Sequence, residues 1–458
     1  MIAADGSRSD KLHTRALKQL SIAASTSADN QSIGVTNNFP RNGRAATIYH
    51  LSPWLKNTAD KGDSAINDYF HRLGDYGVKF FTNIGVLFKK NVIFARYFAN
   101  REYNFITMLT KTFDPNGVIP DNGNYFGIPL EPQDGALVLI SAPWDLSLKV
   151  RNGSSYAPDA IIEASRSVDF FEPMAPHSWR KGIATVPIDY SIQDLSHRLR
   201  SDAERVVKVY RQGGTAFDGL VYERSLRRVN EGYATLNANI YEQSKTWLDK
   251  GKIVGLVGGD QSTAYGHIRA VAEHHGKIGI LNIDSSCNLK RCHQGFEFSH
   301  ASVMYNVLRD IPQVERLVGV GVRAFSPEEW ERVETDSRIK LFTGQSIWTR
   351  HFEGTLWSTI ANEIIEELPE NVYVSLDING LTIECSPHTG MVVAGGIRFP
   401  EVVYLLGKIV DSGRRIVGFD LSEVVPDMED KTDAAIAARL LYNICSMALK
   451  NHEAPIIL

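Results

Sequence analysis

Carboxylates, amides and hydroxyls recur in this chain at places where an apolar run stops. The segments are Gly258-Gly259-Asp260-Gln261-Ser262, Asp284-Ser285-Ser286-Cys287-Asn288, Ser375-Leu376-Asp377-Ile378-Asn379-Gly380 and Asp420-Leu421-Ser422-Glu423. Carboxylates of this kind can hold hard divalent cations or carry protons. Neutral amides and hydroxyls contact such ions only as supplements to carboxylates.

The elements that must position these residues read as alternating strands and helices. Strands are expected over 136–142, 253–257, 278–283, 317–322, 339–342, 372–378 and 416–421. Helices are expected over 158–168, 196–211, 225–250, 263–273, 327–335, 355–368, 400–411 and 433–451. The 225–250 stretch carries Leu226, Val229, Tyr233, Leu236, Ile240 and Trp247 at three- and four-residue spacing, the stripe of an amphipathic helix facing a core. Strand–helix alternation predicts an α/β fold with a mainly parallel central sheet covered on both faces. Ligands of such sheets bind beyond the carboxyl ends of the strands. All four polar segments fall there.

From about residue 113 the chain resembles the arginase/agmatinase/formiminoglutamase (ureohydrolase) family. The resemblance rests on the segments above together with "FDPNGVIPDNGNYFGIPL", "SAPWDLSLKVRNGSSYAPDAIIEAS", "QGFEFSHASVMYNVL", "SLDINGLTIECSPHTG" and "GFDLSEVVP", in the family's order and spacing. It implies a three-layer α/β/α domain, assembled as a trimer or hexamer. It also implies a pair of manganese ions whose bridging hydroxide attacks a guanidinium carbon. The family motifs G-G-D-H-S, D-A-H-x-D and S-x-D-x-D-G place the metal ligands at Gln261, Asp284, Ser286, Asn288, Asp377 and Asn379. Only Asp284 and Asp377, the bridging positions, keep a family ligand; Thr382 also replaces a family aspartate. His300 matches a histidine proposed to carry a proton near the substrate, and Glu423 matches the glutamate that grips its guanidinium.

The resemblance therefore implies an arginase-family pseudoenzyme. It would lack the binuclear manganese site and act as a regulatory or structural subunit, beside an active paralogue, or as a binder of a guanidino molecule. No cofactor is expected, or at most one weakly held manganese, nickel or magnesium ion between Asp284 and Asp377. The alternative is an active ureohydrolase that cleaves a C–N bond of a guanidino or amidino compound at an atypical metal site. Asp284, Asp377, His300 and Glu423 are the catalytic candidates, with His300 and Glu423 as substrate contacts. Without an ion, two adjacent carboxylates raise one another's pKa or recruit a cation. Lys290 and Arg291, just after the second segment, are the candidates for that cation.

Other readings are narrower. Cys287, Cys292, His293 and Cys385 offer a soft-metal set, but Cys287 lies between positions 286 and 288 and points the other way in extended backbone. The sequence has no phosphate-binding loop, no dinucleotide glycine fingerprint and no Gly-x-Ser-x-Gly elbow. A net charge of −4 gives no reason to expect nucleic acid or an anionic membrane as partner. No apolar run reaches membrane-spanning length. Four cysteines in 458 residues suit a reducing compartment, so a cytoplasmic location is expected, with the mitochondrial matrix as the alternative. Residues 1–45 read as disordered or weakly ordered. Residues 46–112, rich in aromatic and basic residues, read as a helical extension that packs on its own domain or on a partner. Residues 113–458 read as the arginase-like domain.

Overall fold

Apolar runs between turn residues become the strands β1 (Leu137–Ala142), β2 (Ile183–Thr185), β3 (Ile253–Gly258), β4 (Ile278–Ile283), β5 (Val314–Val320), β6 (Ile339–Phe342), β7 (Asn371–Asp377) and β8 (Arg415–Ser422). In the computed structural model, which describes residues 113–147, 149–212 and 219–458, they form one sheet in the order β2-β1-β3-β8-β7-β4-β5-β6. Every pairing is parallel. The expectations for residues 1–45 and 46–112 lie outside the described residues.

The helices between and after the strands are α1 (Ala157–Ser165), α2 (Tyr190–Arg211), α3 (Gly219–Leu248), α4 (Ala264–His275), α5 (Val303–Asp310), α6 (Pro327–Thr335), α7 (Gly344–Phe352), α8 (Trp357–Glu366), α9 (Phe399–Asp411) and α10 (Thr432–Lys450). Successive strand residues point to opposite faces, so the sheet separates two cores. Leu137 and Leu139 face one, with Ile161 of α1, Ile364 of α8, Leu405 of α9 and Leu441 of α10. Val138 and Ile140 face the other, with Leu199 of α2, Leu236 of α3, Ile268 of α4 and Val307 of α5. Each fully buried Leu or Ile of this kind stabilises the fold by about 1.5–3 kcal/mol. The result is the three-layer α/β/α architecture expected from the sequence, with a sheet that is wholly rather than mainly parallel.

The differences from the expected elements have local causes. α2 starts at Tyr190 rather than 196, because the Asp189 side chain caps it by accepting the Ser191 N–H at 3.0 Å. The expected strand over 317–322 begins and ends earlier, at Val314 and Val320, where Gly321 turns the chain at φ 83°. The strand β2 and the helices α5 and α7 were not expected; β2 has only three residues and α5 only eight, too short for a clear period. Among the described residues no helix is long and apolar enough to cross a membrane.

One feature of the topology matters most for the site. β3, β8, β7 and β4 are consecutive neighbours in the sheet. Segments far apart in the sequence therefore end side by side on one rim.

Candidate functional site

On the β4–β7 side the carboxylates meet only neutral donors. Asp284 Oδ1 accepts the Ser286 N–H at 3.0 Å and the Ser285 hydroxyl at 3.4 Å. Asn288 sits at φ 57°, a left-handed conformation that asparagine tolerates better than most residues. Its side-chain amide donates both to Asp284 Oδ2 and to Gln261 Oε1. Gln261 Nε2 in turn donates to Asn282 Oδ1 at 3.3 Å. At the end of β7, Asp377 Oδ1 accepts the Asn379 N–H at 2.7 Å, and the Asn379 side-chain oxygen accepts the Thr389 hydroxyl. The structure thus joins Gln261, Asp284 and Asn288 directly. It brings Ser286 in through its backbone, and turns the Asn379 amide oxygen to Thr389. Thr382 stands farther along the loop, its N–H bonded to the Ile397 carbonyl at 3.1 Å.

On the β3–β8 side a lysine enters. Gly259 must be glycine, since a Cβ there would collide with the Trp144 carbonyl. Asp260 accepts the Ser147 N–H at 3.2 Å, the Ser262 N–H at 3.0 Å and the Ser262 hydroxyl. Glu423 is held at φ 70° by the bond from its N–H to the Gly259 carbonyl at 2.9 Å. A non-glycine residue in that conformation is strained, and such strain gathers at functional sites. Its Oε1 accepts the Gln261 N–H at 2.9 Å, and its Oε2 forms an ion pair with Lys149 Nζ. The backbone of Lys149 is near the surface, but its side chain is only 7% exposed and that of Glu423 only 1%.

The electrostatics follow from burial. Burial alone would lower the Lys149 pKa; the carboxylates of Glu423, Asp260 and Asp377 outweigh it and hold the ammonium above its ordinary value. Burial pushes Glu423 up to about 7 even against the pull of Lys149. Burial raises Asp284 to about 6, partly offset by the Ser286 N–H and the Asn288 amide. Asp377 is raised well above the usual carboxylate range by burial and by the charges of Asp284 and Glu423, with Lys149 opposing. Behind them Asp420, bonded to the Tyr373 hydroxyl at 2.8 Å and Ser375 Oγ at 3.2 Å, is pushed up to about 7 by burial.

Lys149 corrects an expectation. Among the described residues no ion pair joins Lys290 or Arg291 to Asp284 or Asp377; Arg291 is exposed, and the Lys290 N–H bonds the Ala301 carbonyl at 3.1 Å. The turn at Asn288 carries the following residues off the carboxylates. Lys149 carried one weak signal in the sequence: it is the lone cation in "SAPWDLSLK", the run that links the first strand to the glycine turn.

His300 is buried, with Nδ1 lacking a hydrogen-bond partner, and its ring meets that of His293 edge to face at 5.4 Å. Burial, then the charge of Lys149, keeps it neutral well below the ordinary histidine range. Arg323, which no sequence motif marks, clamps the loop after β7. Its guanidinium donates to the carbonyls of Asn379 at 2.8 Å, Val393 at 2.9 Å and Ala394 at 3.0 Å. The soft-metal set does not assemble: Cys287 is buried in the core facing α4, and Cys292 is exposed. Among the described residues no three His, Cys, Asp or Glu side chains are grouped to hold an ion. A cavity of about 470 Å³ opens beside the site, lined by Arg151, Asn152, His388, Val425, Pro426 and Asp427.

Comparison with known proteins places this geometry. The model of the arginase family matches residues 136–446. The chain is 28% identical to N(1)-aminopropylagmatine ureohydrolase of Thermus thermophilus over 327 residues, which are 70% of this chain and 92% of that protein. It is 24% identical to agmatinase of Bacillus anthracis over 310 residues, 66% of this chain and 89% of that one. Among solved structures, proclavaminate amidino hydrolase from Streptomyces clavuligerus superposes with a TM-score of 0.56 at 21% identity, covering 74% of this chain and all of that one. At that identity the likeness speaks for the fold alone.

Proposed function

We propose that this chain, which belongs to the arginase family, keeps the family's pocket without its metal-dependent hydrolysis and works as a regulatory or structural subunit or a small-molecule binder. One observation carries this reading. The Asn288 amide donates to Asp284 and Gln261, so residues at implied ligand positions are bonded to one another. A neutral amide in place of a carboxylate is a poor ligand for a hard divalent ion.

The donor set does not fit the pair of manganese ions that the resemblance implies. Of the six implied positions, only Asp284 and Asp377 supply carboxylates, and none supplies an imidazole. Hard divalent ions with a combined charge of about +4 need more anionic ligands than that. The positive charge of the pocket is instead supplied by Lys149.

The alternative, hydrolysis of a guanidino or amidino C–N bond, has one supporting observation: a buried, neutral His300 whose Nδ1 has no hydrogen-bond partner. A single assay separates the two. Purified full-length protein is incubated with agmatine, arginine, guanidine and formiminoglutamate, with manganese, nickel or magnesium added, and urea and ammonia release are measured. The proposal predicts no release above the uncatalysed background. Turnover that disappears in Asp377→Ala would establish the alternative.

A further inference from the structure

We propose that the Lys149 ammonium is the resident cation of this pocket, a tethered group with which any free ammonium, guanidinium or divalent ion must compete for Glu423. The inference rests on the metal-free reading above and adds what fills the place of the ions.

The geometry is built for it. Lys149 lies on the loop after β1, and that loop is pinned at several points. The Asp145 carboxylate accepts the Gly153 N–H and pairs with Arg200 at 3.5 Å. The Ser147 N–H reaches Asp260 at 3.2 Å, and the Lys149 N–H reaches Asn152 Oδ1 at 3.3 Å. The lysine stem then runs over Gly390. A Cβ at residue 390 would lie 3.1 Å from Lys149 Cδ and 2.8 Å from the Arg151 carbonyl, so the missing side chain makes the room. The ammonium ends on Glu423, the residue that the family resemblance makes the guanidinium grip. A buried carboxylate has one favourable use for a cation at that face; while Lys149 occupies it, a guanidinium ligand finds it taken.

A lysine here could instead be a nucleophile, but such a role needs an amine that is neutral at working pH. Lys149 is held charged by its carboxylate neighbours. Its role is to balance charge and to position Glu423.

The test uses the full-length protein and thermal melts. Lys149→Ala removes the ammonium and leaves a space; Lys149→Arg keeps the charge. The probes are ethylammonium, methylguanidinium and manganese chloride, with sodium chloride at equal ionic strength as control. Lys149→Ala is expected to melt roughly 3–7 °C below the parent. It should also gain a saturable rise with ethylammonium or methylguanidinium, while the parent and Lys149→Arg shift no more than the salt control. Equal melting of Lys149→Ala and parent, with no selective response to the probes, overturns the inference. If Lys149→Ala does not fold, the double variant Lys149→Met with Glu423→Gln decides. A folded double variant supports the pair, and a double variant as unfolded as the single one overturns it. Stoichiometric manganese in the parent protein would sink the metal-free reading. Absence of manganese with a silent Lys149→Ala would sink only this inference.

Discussion

The two sides of the pocket solve one problem differently. Near the ends of β4 and β7, Asp284 and Asp377 are met by N–H groups, a hydroxyl and the Asn288 amide. At the ends of β3 and β8, Glu423 is met by a full positive charge from Lys149. Both sets of carboxylates are buried. The first side tolerates burial by drifting toward the protonated form, and Asp377, with one backbone donor, drifts far. The second keeps a charge pair. Buried carboxylate charge is thus offset in this pocket by two routes, weakened acidity on one side and an internal counter-ion on the other.

Cutting the charge pair should have the largest effect. Lys149→Met should destabilise the protein by about 3–5 kcal/mol in urea unfolding at pH 8, the cost of leaving a buried charge unpaired. The loss should shrink at pH 5.5, because Glu423, with its pKa pushed up to about 7, is then neutral. A loss independent of pH would mean that Lys149 acts by packing alone.

On the other side, Asn288→Asp replaces the neutral donor by a second carboxylate against Asp284. A loss of about 1–3 kcal/mol is expected at pH 8 and less at pH 5.5, since a lost donor and a like charge both act. If manganese restored that stability in the single variant, the β4–β7 side would be closer to a working ion site than the neutral donors suggest.

Gly390→Val sharpens the contrast through packing. The new side chain meets the Lys149 stem, and overpacking costs about 1–3 kcal/mol. The loss should be less than additive with Lys149→Met, because both act on one contact. Full additivity in urea unfolding would separate Gly390 from the lysine.

The smallest effect is the pH trend of the intact pocket. Asp284 (about 6), Glu423 (about 7) and Asp377 all have folded-state pKa values above their unfolded ones. The folded state binds more protons, so their contribution is fully present below the unfolded value near pH 4; that of Asp284 and Glu423 is lost as pH rises through 6 and 7. Melting temperature should therefore rise from pH 8 to pH 5.5, and Asp284→Asn should flatten the slope. A melting temperature that climbs steadily toward pH 8 would contradict the assigned directions.

Much of this was legible in the sequence. Apolar runs such as 278–283 stop at the residue before Asp284, so strand and site segment appear together. The neutral residues at 261, 286, 288 and 379 could also be read directly, because they interrupt family motifs. Lys149 could not be assigned, since its partner Glu423 lies far along the chain and only the β1–β3–β8 adjacency brings them together. Arg323 was hidden for a different reason: its acceptors are backbone carbonyls, which leave no residue-type signature. Short elements such as β2 gave too few residues to establish a period.

Lys149 is proposed as the cation of this pocket, in place of metal ions. Elemental analysis of the full-length protein, after incubation with excess manganese and desalting, tests it most directly. Manganese far below one ion per chain is expected. Stoichiometric manganese bound to the unaltered protein would contradict it.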